Sequence, residues 1–323
     1  MANVIHVHEQ GGPEVLRYET RNVVEPGPRE IRLRQTAIGV NYLDIYFRKG
    51  DFRPAGFPFI GGFEGAGTVE TVGSEVTEVS VGDRVAYQLA LGAYSDERLI
   101  SIERVVKLPD AIGDTQAAAM MLKGTTAEYL LRRVYAVKPG DTILIHAAAG
   151  GVGSILCQWA KHLGATVIGT VSTEEKAELA KANGCDYPIL YTREDFVERV
   201  NDITEGKGVP VIYDGVGKAT FHHNFGCLAV FGTNVLFGWS SGKADPIDVH
   251  MLNAKSHAVV NPSLGHYTGA RQLLLESTEA LFDVVAKGAV KIPANHHYAL
   301  KKVAQAHTDL EARRTTGSII LTL

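Results

Sequence analysis

The sequence predicts an α/β protein of two modules, one β-rich and one a doubly wound parallel sheet. Three observations predict it. Short alternating apolar runs cut by glycine and proline fill residues 1–109; from about residue 125 apolar strands alternate with amphipathic helices; and a glycine-rich turn joins the first of those strands to its helix. Alternation of period two marks half-buried antiparallel strands, whereas repeated strand and helix mark a parallel sheet with both faces covered.

At 323 residues the chain is about twice an ordinary domain, and 45% hydrophobic with 21% charged residues suffices for a full core. A net charge of −4 and a mean hydropathy of +0.00 imply no nucleic-acid partner and no membrane partner. No apolar run approaches the ~20 residues of a spanning helix. Cys157, Cys185 and Cys227 stand far apart with no CxxC pair, the pattern of reduced thiols in a cytoplasmic protein. The first ten residues lack the basic and apolar segments of a secretory signal. Glycine is in excess, 34 of 323 residues, against a usual ~7%.

In the first module strands are expected at residues 4–7, 31–34, 67–72 and 84–87, with turns at Gly11-Gly12-Pro13, Pro26-Gly27-Pro28 and Gly61-Gly62. Gly73 and Gly82 flank valine-rich strands and are expected at positive φ. A helix-favouring run at 117–122 follows. Next come a strand at 143–145 and a helix on which Val152, Ile155, Leu156, Trp159, Ala160 and Leu163 recur at helical spacing. A strand at 166–171, a helix at 174–182 closed by Asn183-Gly184, and strands at 211–213 and 235–237 complete that module. The tail offers helices at 271–287 and 301–313 and a strand at 318–321. It is too small for a core of its own and is expected to pack on the first module.

The run His146-Ala147-Ala148-Ala149-Gly150-Gly151-Val152-Gly153 reads as a GxGxxG turn with Ala148 in the first position. Gly150 lets backbone approach a pyrophosphate, Gly153 lets helix pack on strand, and the N–H groups of Ala149, Gly151 and Val152 face the anion at the helix N-terminus. The same turn without a ligand would be an ordinary α/β connection; a strand before it and a helix after it favour the nucleotide. An NAD site needs Asp or Glu at the end of the next strand. That end is Gly169-Thr170-Val171-Ser172-Thr173, with no acid before Glu174, and Ser172 and Lys176 can bond a 2′-phosphate. The expected cofactor is NADPH. Without the turn upstream, Lys176 would read as a solvated helix-face lysine.

Gly140, Asp141, Leu144, Ala148, Ala149, Gly150, Gly151, Gly153, Gln158 and Lys161 fall at the spacing of a known signature. In them the chain resembles the zinc-free quinone oxidoreductase (zeta-crystallin-like) family of the medium-chain dehydrogenases/reductases. The likeness runs over essentially the whole chain, through Gly11-Gly12-Pro13-Glu14-Val15-Leu16, residues 37–44, Val81-Gly82-Asp83-Arg84-Val85, residues 122–127 and Gly317. It implies a GroES-like β-rich catalytic domain at 1–124 and 265–323, and a Rossmann NADPH-binding domain at 125–264. It further implies a homodimer and NADPH-dependent reduction of a quinone.

The resemblance also bears on zinc. Zinc-dependent alcohol dehydrogenases of this superfamily carry cysteine where Asn41 stands and Gly-His-Glu where Gly62-Phe63-Glu64 stands. Phenylalanine does not ligate zinc and an amide does so poorly, so no metal is expected. The pairs His6/His8, His222-His223 and His296-His297 read as surface residues. Gly238-Trp239-Ser240-Ser241-Gly242 matches the GxSxG of hydrolases, but that elbow needs a helix directly after its serine, and Lys243-Ala244-Asp245-Pro246 does not start one.

For the site, the resemblance implies Asn41 as an amide donor near the nicotinamide, Asp44, and Tyr46 as a donor or aromatic wall. Tyr42, Asp44 and Tyr46 read equally as packing residues of a helical turn. Phe52 stands near the place of a tyrosine in some relatives and would make the slot more apolar. Lys123, Thr126, Gly217, Phe237, Gly238, Ser240 and Arg313 are carried over as cofactor contacts, and Tyr191 as a ring beside the adenosine phosphate. Hydrogen-bond donors alone suit a quinone, whose reduction is driven by aromatisation. The alternatives are an NADPH-dependent reductase of activated double bonds in enones or enoyl thioesters, and a protein that holds NADPH without turnover.

Overall fold

A computed structural model describes residues 1–323. They divide into two units, Met1–Thr125, Thr268–Ala286 and Ile292–Leu323 in the first, Thr126–Tyr267 and Lys287–Lys291 in the second. The first unit opens with β1 (Ala2–Val7), β2 (Leu16–Arg21), β3 (Glu30–Val40), α1 (Tyr42–Lys49), β4 (Phe59–Ile60) and β5 (Glu64–Val72). It continues with β6 (Arg84–Tyr87), β7 (Glu97–Ser101) and β8 (Val105–Lys107), and α2 (Asp114–Tyr129) begins in it. The second unit follows as β9 (Thr142–Ile145), α3 (Gly151–His162), β10 (Thr166–Val171), α4 (Glu174–Ala182), β11 (Tyr187–Leu190), α5 (Phe196–Ile203), β12 (Val209–Asp214), β13 (Leu228–Leu236), β14 (Ala258–Val260) and α6 (Leu264–Thr268). The tail forms α7 (Arg271–Ala286), β15 (Ala294–Ala299), α8 (Val303–Glu311) and β16 (Ser318–Thr322).

In the first unit β2, β1 and β4 make a small antiparallel sheet, while a larger sheet runs β15-β16-β3-β5-β6-β8 with β7 also paired to β3. The tail does pack back on this unit: β16 lies antiparallel to β3, with Ile319 opposite Val40 and Leu321 opposite Ile38. Buried Ile31, Leu33, Ile38, Val40, Val85, Ile319 and Leu321 share its core. Along β3, alternating burial gives way to unbroken burial from Ala37 to Val40, so the chain enters α1 from the interior. Of the two glycines expected at positive φ, Gly82 is there, at +91°, and Gly73 is not. Gly73 is held by space instead: a Cβ on it would fall 2.0 Å from the Gly27 carbonyl oxygen.

The second unit is a six-stranded, wholly parallel sheet in the order β11-β10-β9-β12-β13-β14. Counted along the unit this is 3-2-1-4-5-6, and the order reverses between β9 and β12, where such sheets open a crevice at the carboxyl ends of their strands. Leu144, Ile168, Ile189 and Ile212 fill the sheet with almost no alternation, as a sheet covered on both faces requires. No helix in the chain is long and apolar enough to cross a membrane.

Candidate functional site

The glycine turn follows β9 directly. The Gly150 N–H donates to the Ala147 carbonyl at 2.8 Å, closing a tight turn in which Ala147 adopts φ 53°. The Ser154 N–H returns to the Gly150 carbonyl at 2.8 Å as the first bond of α3, so the N–H groups of Gly151, Val152 and Gly153 precede any helical acceptor. A Cβ on Gly153 would fall 2.2 Å from the Ala147 oxygen and 2.9 Å from the Ala148 Cα; one on Gly150 meets nothing nearer than 3.1 Å. Gly153 is therefore needed for the turn itself, while Gly150 keeps the outer face of the turn free of a side chain. Free amides at a helix N-terminus beside a bare backbone are a fit for a dinucleotide pyrophosphate.

Most of the other predicted residues of this unit follow the carboxyl ends of β10, β12 and β13. Beyond β10, Thr173 caps α4 by accepting the Lys176 N–H at 3.3 Å, which places half-buried Lys176 in the first turn. Ser172 receives the Thr192 hydroxyl on its carbonyl at 3.1 Å, and neighbouring Tyr191 is 41% exposed. Glu174, the first acid past the strand, is paired with Arg193 at 2.9 Å. Beyond β12, Gly217 takes φ 86°, and Asp214 Oδ1 accepts the Val216 and Gly217 N–H groups at 2.7 and 3.0 Å. Phe237 donates its N–H to the Asp214 carbonyl at 2.9 Å, and Ser240 to Gly215 at 3.1 Å, which brings Phe237, Gly238 and Ser240 alongside. A turn, with no helix, follows Ser240. Thr126 is buried on α2.

Sequence reasoning missed what supports this rim. The Asn224 side chain donates to Asp214 Oδ2 at 2.8 Å and bonds His146 Nε2 at 2.8 Å, while His146 Nδ1 lies 2.9 Å from the Thr170 hydroxyl. All of these side chains are buried. The network ties together the ends of β9, β10 and β12, and its members are too scattered to form a motif.

Asn41, Asp44, Tyr46, Lys123 and Arg313 belong to the first unit. Asn41 precedes α1, and its backbone N–H donates to Asp44 Oδ2 at 2.6 Å, the return arm of a capping box. Its side-chain Nδ2 donates to Glu64 Oε1 at 2.7 Å. The Lys123 ammonium reaches the same oxygen at 2.9 Å and the Val40 carbonyl at 3.3 Å; the Leu122 N–H takes Glu64 Oε2 at 2.6 Å. Gly39 makes room, since a Cβ there would fall 2.3 Å from Glu64 Oε1. Burial pushes the Asp44 carboxyl up to about 7, against the lowering effect of its bonds from Asn41 and Tyr94. Tyr46 is half-buried, its ring 6.3 Å from that of Phe52, and Phe63 packs 4.7 Å from Phe47. Arg313 is exposed past α8 at φ 58°. Glu64, Tyr94 and His307 were not among the predicted residues; only the Asn41-x-x-Asp44 spacing offered a local signal.

The donor set does not fit zinc. The Asn41 amide is turned onto a carboxylate, Phe63 is a hydrocarbon ring, and an ammonium already neutralises Glu64. Elsewhere His6 and His8 share Glu19 at 2.6 and 2.9 Å, and these hydrogen bonds account for their grouping. His222 and His297 bond backbone carbonyls, at 3.1 and 3.0 Å.

A parallel sheet in this order with a glycine turn at its switch point, in one chain with a β-rich unit of this topology, defines the medium-chain dehydrogenases/reductases. Residues 27–137 match the family described as alcohol dehydrogenase GroES-like domain, and residues 151–279 match that described as zinc-binding dehydrogenase. A quinone oxidoreductase of Pseudomonas aeruginosa is 48% identical, over 99% of both chains. A 2-haloacrylate reductase of a Burkholderia species is 47% identical, over 98% of this chain and 97% of its own. The crystal structure of Escherichia coli quinone oxidoreductase complexed with NADPH superposes with a TM-score of 0.97 at 45% identity, covering 99% of this chain and all of that one. The chain belongs to the quinone oxidoreductase family.

Proposed function

We propose that the protein is an NADPH-dependent quinone oxidoreductase working through hydrogen-bond donors. Bound NADPH supplies a hydride, and one proton completes the reduction of a quinone to its hydroquinone. The Ala149–Gly153 turn and the free amides of α3 hold the pyrophosphate. Ser172 and Lys176 bond the 2′-phosphate, with Arg193 paired to Glu174, the first acid past the strand, and Tyr191 lies beside the adenosine. Gly217, Phe237, Gly238, Ser240 and Thr126 serve the nicotinamide end, with Lys123 and Arg313 as further cofactor contacts. Asn41 and Tyr46 donate to the quinone oxygen, and Asp44 holds Asn41.

The observation that carries this reading is the Asn41–Glu64–Lys123 cluster, in which an amide stands where a zinc enzyme has a cysteine and an ammonium neutralises the carboxylate beside it. Donors of this strength suit an acceptor that gains aromaticity on reduction. The test is NADPH consumption with 1,4-benzoquinone, with a long-chain enone and with no acceptor, before and after dialysis against a chelator. Chelator-resistant turnover with benzoquinone supports the reading; tight NADPH binding without turnover on any acceptor overturns it. Reduction of an activated double bond is a second reading, favoured by the Burkholderia relative, and preference for the enone would select it.

We also infer a homodimer formed along the outer edge of β14, whose unpaired backbone groups can extend the sheet; light scattering should then give about twice the 34.8 kDa of the chain. Three buried free cysteines support a reducing, cytoplasmic setting.

A further inference from the structure

Asp44 ends a chain of side chains that the chemistry above leaves unused. His307 Nδ1 lies 3.3 Å from Arg48 Nη1, and the Tyr94 hydroxyl lies 2.8 Å from His307 Nε2 and 2.9 Å from Asp44 Oδ2. Arginine only donates, so Nδ1 must accept and the proton of a neutral imidazole sits on Nε2. Nε2–H then donates to the Tyr94 oxygen, which leaves the Tyr94 O–H to donate to Asp44. Burial, with the Arg48 charge second, keeps the ring neutral by pushing His307 down to about 3. Every step therefore runs one way, from Arg48 through His307 and Tyr94 to Asp44.

The chain is seated at both ends. Arg48 is 1% exposed and its Nη2 is fixed on Glu311 at 2.7 Å. The Tyr94 ring is clamped by the Gly61-Gly62 turn, where a Cβ would fall 2.8 or 2.4 Å from ring carbons. Asp44 Oδ2 accepts from both Tyr94 and the Asn41 N–H, so a single oxygen couples the chain to Asn41. Asp44 Oδ1 is buried with no hydrogen-bond partner, and Asp44 and His307 border a small cavity with Phe47, Phe63 and Leu91. A proton taken up by Asp44 belongs on Oδ1, and Oδ2 keeps both of its bonds.

We propose that Tyr94 and His307 are positioning residues for Asn41, acting through the hydrogen-bonded chain that ends on Asp44 and its bond to the Asn41 backbone N–H. The proposal rests on the reading of Asn41 as a donor to the quinone. The charged and titratable groups facing Asp44 are Tyr94, Glu64 and Lys123, with Arg48 and His307 around the cavity. The Tyr94 bond favours the carboxylate, so its loss raises the midpoint of Asp44.

The test pairs kinetics with NMR on the full-length protein. Tyr94→Phe and His307→Gln should lower kcat with benzoquinone five- to twentyfold while KM for NADPH stays within twofold, and Tyr94→Phe should move the pH midpoint of kcat upward. The Asn41 backbone and side-chain amide resonances should titrate together near pH 7 in the wild type and at higher pH in Tyr94→Phe. Asn41 resonances that do not titrate, or a midpoint unmoved by Tyr94→Phe, would overturn the proposal, whatever happens to kcat. If the variants do not fold, the wild-type imidazole decides: His307 should carry its proton on Nε2 and stay neutral from pH 5 to 9, and Nδ1 protonation or titration in that range refutes the chain. A wild type inactive on every quinone refutes the functional reading, while the resonances still report on the chain.

Discussion

The Lys123 ammonium stands 2.9 Å from Glu64 Oε1, with side-chain exposures of 7% and 0%. Both charges have left water, so the pair as a whole adds little net stability, but removing one partner strands the other in the interior. Glu64 also accepts from Asn41 and Leu122, which makes it the costlier one to lose. Glu64→Ala should destabilise the protein by about 3–5 kcal/mol in urea unfolding. The double variant Glu64→Gln with Lys123→Met should lose less than its two singles added together. Additive losses would mean that the two groups do not interact.

How far this organisation is legible from sequence depends on how local its causes are. β10 and α4 coincide with the stretches expected at 166–171 and 174–182, because Thr173 caps the helix and Asn183-Gly184 ends it within a few residues. β11 carries no such signal: it has four residues, one of them Pro188, and becomes a strand by pairing with β10. The glycine turn is one contiguous motif and can be read directly. Tyr94 lies 50 residues from Asp44 and 213 from His307, so only the folded chain brings the three together.

The two glycines of the turn separate stability from binding. Gly153→Ala forces a Cβ to 2.2 Å from a backbone oxygen that cannot yield without moving the turn, so it should lower the thermal midpoint and NADPH affinity together. The Cβ of Gly150→Ala would lie 3.1 Å from the Ala147 oxygen, a tight contact that a shift of a few tenths of an ångström relieves. This variant should leave the midpoint within a few degrees yet weaken NADPH at least tenfold, as measured by quenching of tryptophan fluorescence. Equal behaviour of the two variants would remove Gly150 from the pyrophosphate contact.

The strand end after β10 should choose between the two nicotinamide dinucleotides. Glu174 is paired to Arg193, and Ser172 and Lys176 are the groups assigned to a 2′-phosphate. A hydrogen bond to a charged group contributes about 1.5–3 kcal/mol. Lys176→Ala should therefore raise the Kd for NADPH by about tenfold or more and leave that for NADH nearly unchanged. An equal loss for both would take Lys176 out of the 2′-phosphate site.

The buried chain also sets a pH dependence of stability whose two parts have opposite signs. Burial raises Asp44 from 3.8 to about 7, so in that window the folded protein holds a proton that the unfolded chain has released, and stability falls as pH rises. Burial lowers His307 from 6.5 to about 3, so in that window the unfolded chain holds the extra proton, and stability falls as pH falls. Where the windows overlap the effects oppose each other; above pH 6.5 only Asp44 acts, and below 3.8 only His307. Unfolding free energies at pH 5.5 and pH 8 separate the two. Relative to wild type, Asp44→Asn should gain about 2 kcal/mol on going from the lower pH to the higher, because it lacks the Asp44 loss. His307→Gln should fall behind by about 1 kcal/mol over the same interval, because it lacks the His307 gain. A variant that shows no shift would mean that its group titrates in the fold as it does in the unfolded chain, and shifts of the same sign would mean that burial displaces one of the two in the direction opposite to that stated.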